Sequence, residues 1–194
     1  MTLFGYRVPP PYSLLIWIAL WEIAGRLDLA FILPPFSAVI EQLFYLVVRK
    51  DFQAAALQTL ESFTIGMIIA IIGGVALGFL MGLNRVADSV LGMWVNIFAS
   101  APLSSLVPVL MLLFGLGQTT IIVPVVLFAI WIIALDTYAG VRHISTSLFE
   151  MGRSFGASRW QLYSKVLFWA ALPEILAGIR MGLIRAVKGI VIGQ

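Results

Sequence analysis

The chain has 194 residues, of which 61% are hydrophobic and only 11% charged, with a net charge of +3. Soluble domains carry about 25% charged residues and about 45–50% apolar ones even with glycine counted, so a water-soluble enzyme and a disordered chain are excluded and lipid remains as the solvent. The lack of cysteine excludes a disulfide framework, Cys-ligated zinc and iron–sulfur clusters, and the single histidine, His143, excludes multi-histidine metal sites.

The pI near 9.5 and mean hydropathy of +1.05 fit lysine and arginine retained on the cytoplasmic side of a membrane protein. Nucleic acid is not an expected partner, because no basic run exceeds Arg49-Lys50. Residues 1–11 hold one charge, Arg7, and the run Pro9-Pro10-Pro11; proline lacks a backbone donor, so a non-helical cytoplasmic N-terminus is expected. An apolar run follows. It has no A-x-A site after it and reads as a first span over 12–29 rather than a signal peptide. Glu22 and Arg26 stand at i, i+4 near its end and can pair.

Leu33-Pro34-Pro35-Phe36-Ser37 is a turn signal. Ser37 is placed to cap an amphipathic helix over 38–48, too short to span and suited to the interface, with Arg49-Lys50-Asp51 ending it. Residues 64–83 are uncharged and long enough to cross a bilayer. Gly74, Gly78 and Gly82 repeat the GxxxG spacing that allows close helix approach, although glycine is also simply frequent in membrane helices. Arg85 and Asp88 mark a tight polar turn.

Residues 89–135 hold no charge and suit two crossings, 89–114 and 119–136, divided at Gly115, Gly117 and Gln118. Pro102 and Pro108 fall inside the first. They kink it and require it to face protein or water rather than lipid. Residues 139–172 form the most polar stretch, with Arg142, Arg153, Arg159 and Lys165, and read as a cytoplasmic loop. Within it two short helices are expected to meet at Gly156, with Ser158 capping the second. A last apolar stretch, 173–194, stops without a polar end, so the bundle reads as truncated at its C-terminus. With 1–11, 84–88 and 139–172 inside, those segments carry six basic residues against three in the outer segment 26–62. The fold expected over 12–194 is an all-α, polytopic transmembrane helix bundle.

Glu150-Met151-Gly152-Arg153-Ser154-Phe155-Gly156-Ala157-Ser158-Arg159-Trp160-Gln161-Leu162 resembles the EAA loop of ABC importer permeases, whose pattern is E-A-A, three residues, Gly, nine residues, I-x-L-P. Glu150 and Gly156 match. Met151 and Gly152 replace the alanines, Val166 takes the isoleucine place, and Phe168-Trp169 stand where Leu-Pro is usual, with Leu172-Pro173 following. Ile32 to Val39, Ala101-Pro102-Leu103 through Pro108, Leu113 to Gly117 and Ala139 to Arg142 are similar to the nitrate, sulfonate and taurine branch. Members of that family continue with further spanning helices.

The resemblance implies a type I ABC importer permease in the bacterial inner membrane. It implies ATPase subunits, a second permease copy (a homodimer) and an extracytoplasmic solute-binding protein as partners. No cofactor is expected in this chain, which has no G-x-x-x-x-G-K-[ST]; ATP and magnesium would sit on the ATPase. Coupling would fall to Glu150, Arg153, Gly156, Ala157, Ser158 and Arg159, and the path of a small anionic solute to Pro102, Ser104, Ser105, Pro108, Arg180 and Arg185. Arg180, Arg185 and Lys188 could attract an anion or snorkel to water, and their closeness to the cytoplasmic end favours snorkelling. The alternative is a secondary transporter or channel that works without ATP.

Overall fold

A computed structural model describes residues 2–3, 6–7, 10–27, 32–115 and 117–193. It divides into two compact units, 1–57 and 58–194.

In the first unit, two-residue strands β1 (Thr2–Leu3) and β2 (Tyr6–Arg7) pair antiparallel. Helix α1 spans Pro10–Arg26. It therefore starts earlier than the prolines suggested, because a first-turn proline forgoes only an N–H that has no intrahelical partner. The expected end of the span, 28–29, lies outside the described residues. Helix α2 spans Phe36–Val48 with Pro35, not Ser37, at its N-cap. Capping comes instead from the neighbouring helix. Glu22 accepts the Ser37 backbone N–H at 2.9 Å and the Ser37 hydroxyl at 2.9 Å, while Arg26 Nε donates to the same carboxylate at 2.6 Å. Trp21 Nε1 donates to the Pro34 carbonyl at 3.0 Å, and its ring meets Phe36 edge-on at 5.3 Å. After Arg49, whose guanidinium binds Asp51, α3 (Lys50–Leu83) begins at once. The charges at 49–51 thus open a 34-residue helix, of which 64–83 is the uncharged part.

The second unit is organised around α6 (Gln118–Arg142), which contributes residues to all three of its hydrophobic clusters. Ala129, Ile133 and Ala134 of α6 are fully buried. Helix α3 approaches through its glycines. A Cβ at Gly78 would stand 2.5 Å from Thr137 Cβ and 2.6 Å from the Ala134 carbonyl oxygen, and one at Gly82 2.5 Å from Val141. The GxxxG spacing is therefore a packing device here, not background glycine. In lipid there is little hydrophobic drive between helices, so such close van der Waals contact holds them together.

Helix α4 (Arg85–Ser100) follows α3 after one residue, Asn84, whose side chain accepts from the N–H groups of Val86 and Ala87. Tyr138 of α6 donates to Asp88 at 3.0 Å, and Phe98 stacks on Trp131 at 4.8 Å. The chain then breaks. Proline disfavours the α region for its predecessor, and Ala101, before Pro102, is extended (ψ 144°). A 3₁₀ turn (Leu103–Leu106) leads into α5 (Val107–Phe114), where Pro108 sits harmlessly in the first turn. The two halves meet at 84°, so the stretch expected as a kinked crossing over 89–114 is built from two short helices at nearly a right angle. Gly115, at φ 71°, ends α5.

Helix α7 (Thr146–Ser154) is followed by α8 (Arg159–Gln161), a π turn (Leu162–Leu167) and α9 (Phe168–Gly193). These last three run on unbroken from Arg159 to Val191. The stretch 139–172, expected as a loop, is thus mostly helical, and the final helix starts well before Pro173. Among the described residues, three helices are long and apolar enough to cross a bilayer, or four if the bent pair makes one crossing. At 17 residues, α1 sits at the lower end of the range that spans hydrocarbon.

Candidate functional site

The elbow between α7 and α8 is built from two reciprocal caps. Phe155 follows the last residue of α7 and Gly156 turns with φ +74°. The Gly156 N–H donates to the Arg153 carbonyl at 2.9 Å, and the Ala157 N–H to the Gly152 carbonyl at 3.0 Å. This is the Schellman pairing, which satisfies carbonyls that a helix end leaves open and needs a left-handed residue at its centre. Two residues on, Ser158 opens the next helix with a capping box. Its hydroxyl accepts from Gln161 N–H at 3.3 Å, and the Gln161 side chain accepts from Ser158 N–H at 2.8 Å. No slack residue remains between the motifs, so the turn is stiff.

Gly152 is buried under the Leu162 side chain, which occupies the place a Cβ would take. That close approach folds α7 back onto the π turn. The departure from the alanine of the family pattern at this position is therefore matched by a neighbour that fills the space.

On the outside of this stiff turn, Phe155 is 85% and Trp160 77% exposed, with Met151 half-exposed beside them. Glu150, Arg153 and Arg159 are exposed and form no ion pair among the described residues. Exposed aromatics and charges of both signs within one short segment have the make-up of a docking surface. The π turn was not foreseen. It carries no composition signal in Leu162 to Leu167, but such turns recur at functional positions in helices.

The residues expected on a solute path separate into two groups. Pro102 and Ser104, from the break after α4, line a cavity of about 260 Å³ with Phe128, Arg185 and Lys188. Ser105, Pro108 and Arg180 do not line it and are exposed. Arg185 is half-buried, and its Nη1 donates to the Ala99 carbonyl at 3.0 Å across 86 positions of sequence. It does not snorkel; it holds the C-terminal end of α4, where the helix dipole favours a cation. Phe128 was missed as a lining residue, and Lys188, named only as a cation that could attract an anion or snorkel, joins the lining. The i, i+3 spacing of Arg185 and Lys188 could have paired the two cations on one face, but only the 84° break brings Pro102 and Ser104 to them.

Residues 66–194 match the family described as binding-protein-dependent transport system inner membrane component. The chain is 28% identical over 178 residues to the taurine transport system permease protein of Escherichia coli K12, covering 88% of this chain and 65% of that one. It is 26% identical over 179 residues to the putative aliphatic sulfonates transport permease protein of Bacillus subtilis 168, covering 91% and 65%. It is 33% identical over 129 residues to the carnitine transport permease protein of Listeria monocytogenes, covering 66% and 57%. The chain spans less than two thirds of the length of each of these relatives.

Proposed function

The chain belongs to the family of binding-protein-dependent transport system inner membrane components, and from that membership we propose that it is the permease subunit of an ATP-driven importer, moving a small anionic solute through the bacterial inner membrane. The relatives named for taurine and for aliphatic sulfonates support a sulfonate-like solute. The partners in this reading are a pair of ATPase subunits, a second copy of the chain and an extracytoplasmic binding protein.

The observation that carries the reading is the capped elbow with Phe155 and Trp160 outward. A flexible loop would absorb a push from a partner, whereas this turn would hand it to the helix running on to Val191. Glu150, Arg153 and Arg159 would make charge-assisted contacts in the ATPase groove, and Gly156, Ala157 and Ser158 would hold the turn in shape. ATP binding on the partner would then bias a two-state bundle.

Uptake into vesicles containing the full transporter tests this. Glu150→Lys or Gly156→Asp abolishes ATP-driven uptake while membrane insertion stays intact, and Ser158→Cys cross-links to the ATPase. Normal uptake by both variants removes the docking surface from the mechanism. Uptake with no ATPase present establishes the ATP-independent transporter or channel instead.

A further inference from the structure

We propose that the cavity between the α4–α5 break and α9 is an oxyanion subsite, in which Arg185, Lys188 and Ser104 grip the negatively charged head of the solute over the Phe128 ring. The proposal rests on the reading of the chain as a permease and names where that permease would hold its solute.

Arg185 and Lys188 stand one turn apart on α9 and both line the cavity, and no carboxylate lines it. Arg185 is half-buried and Lys188 exposed, and two like charges facing one cavity whose lining holds no acid favour an anion between them. Capping of α4 accounts for one N–H of Arg185. A guanidinium has five N–H donors in a fork that matches a planar or tripodal oxyanion, so the rest stay free for a ligand. Nothing structural accounts for Lys188, which forms no hydrogen bond or ion pair among the described residues. Asp136 feels the charge of Arg185 but also that of Glu174, and it does not line the cavity.

Ser104 adds a hydroxyl from the broken segment. The Phe128 ring is fixed from behind, since a Cβ at Gly189 would stand 3.2 Å from it. The volume of about 260 Å³ lies just under the ~300–1,000 Å³ of pockets for drug-sized ligands and accommodates a small solute. Two sources could supply an oxyanion, a free solute or a lipid phosphate, and the proposal commits to the solute.

The test is saturation-transfer NMR of methanesulfonate with the full chain in phosphatidylcholine nanodiscs, titrated to millimolar concentration so that weak binding registers. The expected result is saturable transfer, weakened about tenfold by Lys188→Gln, with none for choline. Lys188→Gln removes a charge without breaking a structural bond, so it remains informative should Arg185→Gln unfold the break. A missing signal, or one that Lys188→Gln leaves unchanged, overturns the proposal. In discs containing phosphatidylglycerol, a retained signal supports a solute site, and suppression of it assigns the cavity to lipid phosphate and overturns it. Glu150→Lys leaves methanesulfonate binding unchanged whether or not it abolishes uptake, so failure of the coupling reading and failure of the subsite are told apart.

Discussion

Replacing Gly156 by alanine isolates the backbone contribution of the elbow. A Cβ built at Gly156 meets nothing within 4 Å, yet the residue sits at φ +74°. Sterics with neighbours therefore contribute nothing, and the whole effect comes from holding an L-residue in the left-handed region, about 1–2 kcal/mol. That free energy falls on the closed form of the turn and raises the population of its open form by about 5–30-fold. Amide hydrogen exchange reads this directly. In the Gly156→Ala chain the amides at 156 and 157, which donate to Arg153 and Gly152, exchange faster by that factor. Amides in the buried part of α6 do not change. Gly156→Asn shows a smaller increase, because asparagine tolerates the left-handed region. Wild-type exchange rates in the alanine chain, or cap amides that exchange without protection in the wild type, refute the argument.

Three other expectations concern the same scaffold. Gly78→Ala must move Thr137 and a backbone carbonyl by roughly an ångström to restore ordinary contact; it destabilises the bundle by about 1–3 kcal/mol in mixed-micelle SDS unfolding. Gly73→Ala, whose nearest neighbour is the mobile Cδ1 tip of Ile130, loses measurably less, and equal losses would contradict the packing described for α3 and α6. Ser158→Ala breaks the capping box at a cost of about 1 kcal/mol, seen as faster exchange confined to residues 159–162. Under the proposed function, Gly152→Ala, which meets only the Leu162 side chain, keeps normal ATP-driven uptake; a full loss of uptake would show that the close approach of Leu162 is needed for coupling.

The elbow was legible in the chain because its chemistry is local. Glycine at a helix end and serine opening the next helix each act over one turn, and the structure adds Gln161 to complete the capping box. The glycine repeat of α3 was half legible: spacing shows that a close approach is possible, and only Thr137 and Val141 opposite Gly78 and Gly82 show that it is used. The break at Ala101 was legible only as a kink of unstated size, because proline reports loss of a hydrogen bond, not what the chain does next. Pro102 breaks α4, while Pro108, of the same residue type, starts α5. The capping of α2 by Glu22 and the hold of Arg185 on Ala99 were not legible at all. Each joins residues far apart in sequence through side chains whose nearer uses, a helical ion pair and a snorkelling cation, fit the sequence equally well.

The elbow and the cavity are joined by one object. The helix that opens at Arg159 continues to Val191, and 26 residues separate Arg159 from Arg185, roughly 40 Å of helix. Gly178, Gly182 and Gly189 seat the C-terminal half of this helix against Asp136, Ile133 and Phe128 of α6, so that half cannot bend away from α6 without opening the core. Two features near the elbow could yield instead: the π turn over Leu162–Leu167 and Pro173, which leaves a carbonyl one turn earlier without its N–H. Either the helix moves as a rod and the cavity shifts with the elbow, or it hinges there and the cavity stays still. The rod follows from the capped turn and the continuous packing, because Leu167 at the end of the π turn and Ala171 and Ile175 on either side of Pro173 share one buried cluster with Val141. Spin labels at Trp160 and Val187 in the assembled transporter should then keep one separation in all nucleotide states, while each moves relative to a label on α4. A separation that changes with nucleotide would place the hinge at the π turn or Pro173 and break the mechanical link between the proposed docking surface and the proposed oxyanion subsite.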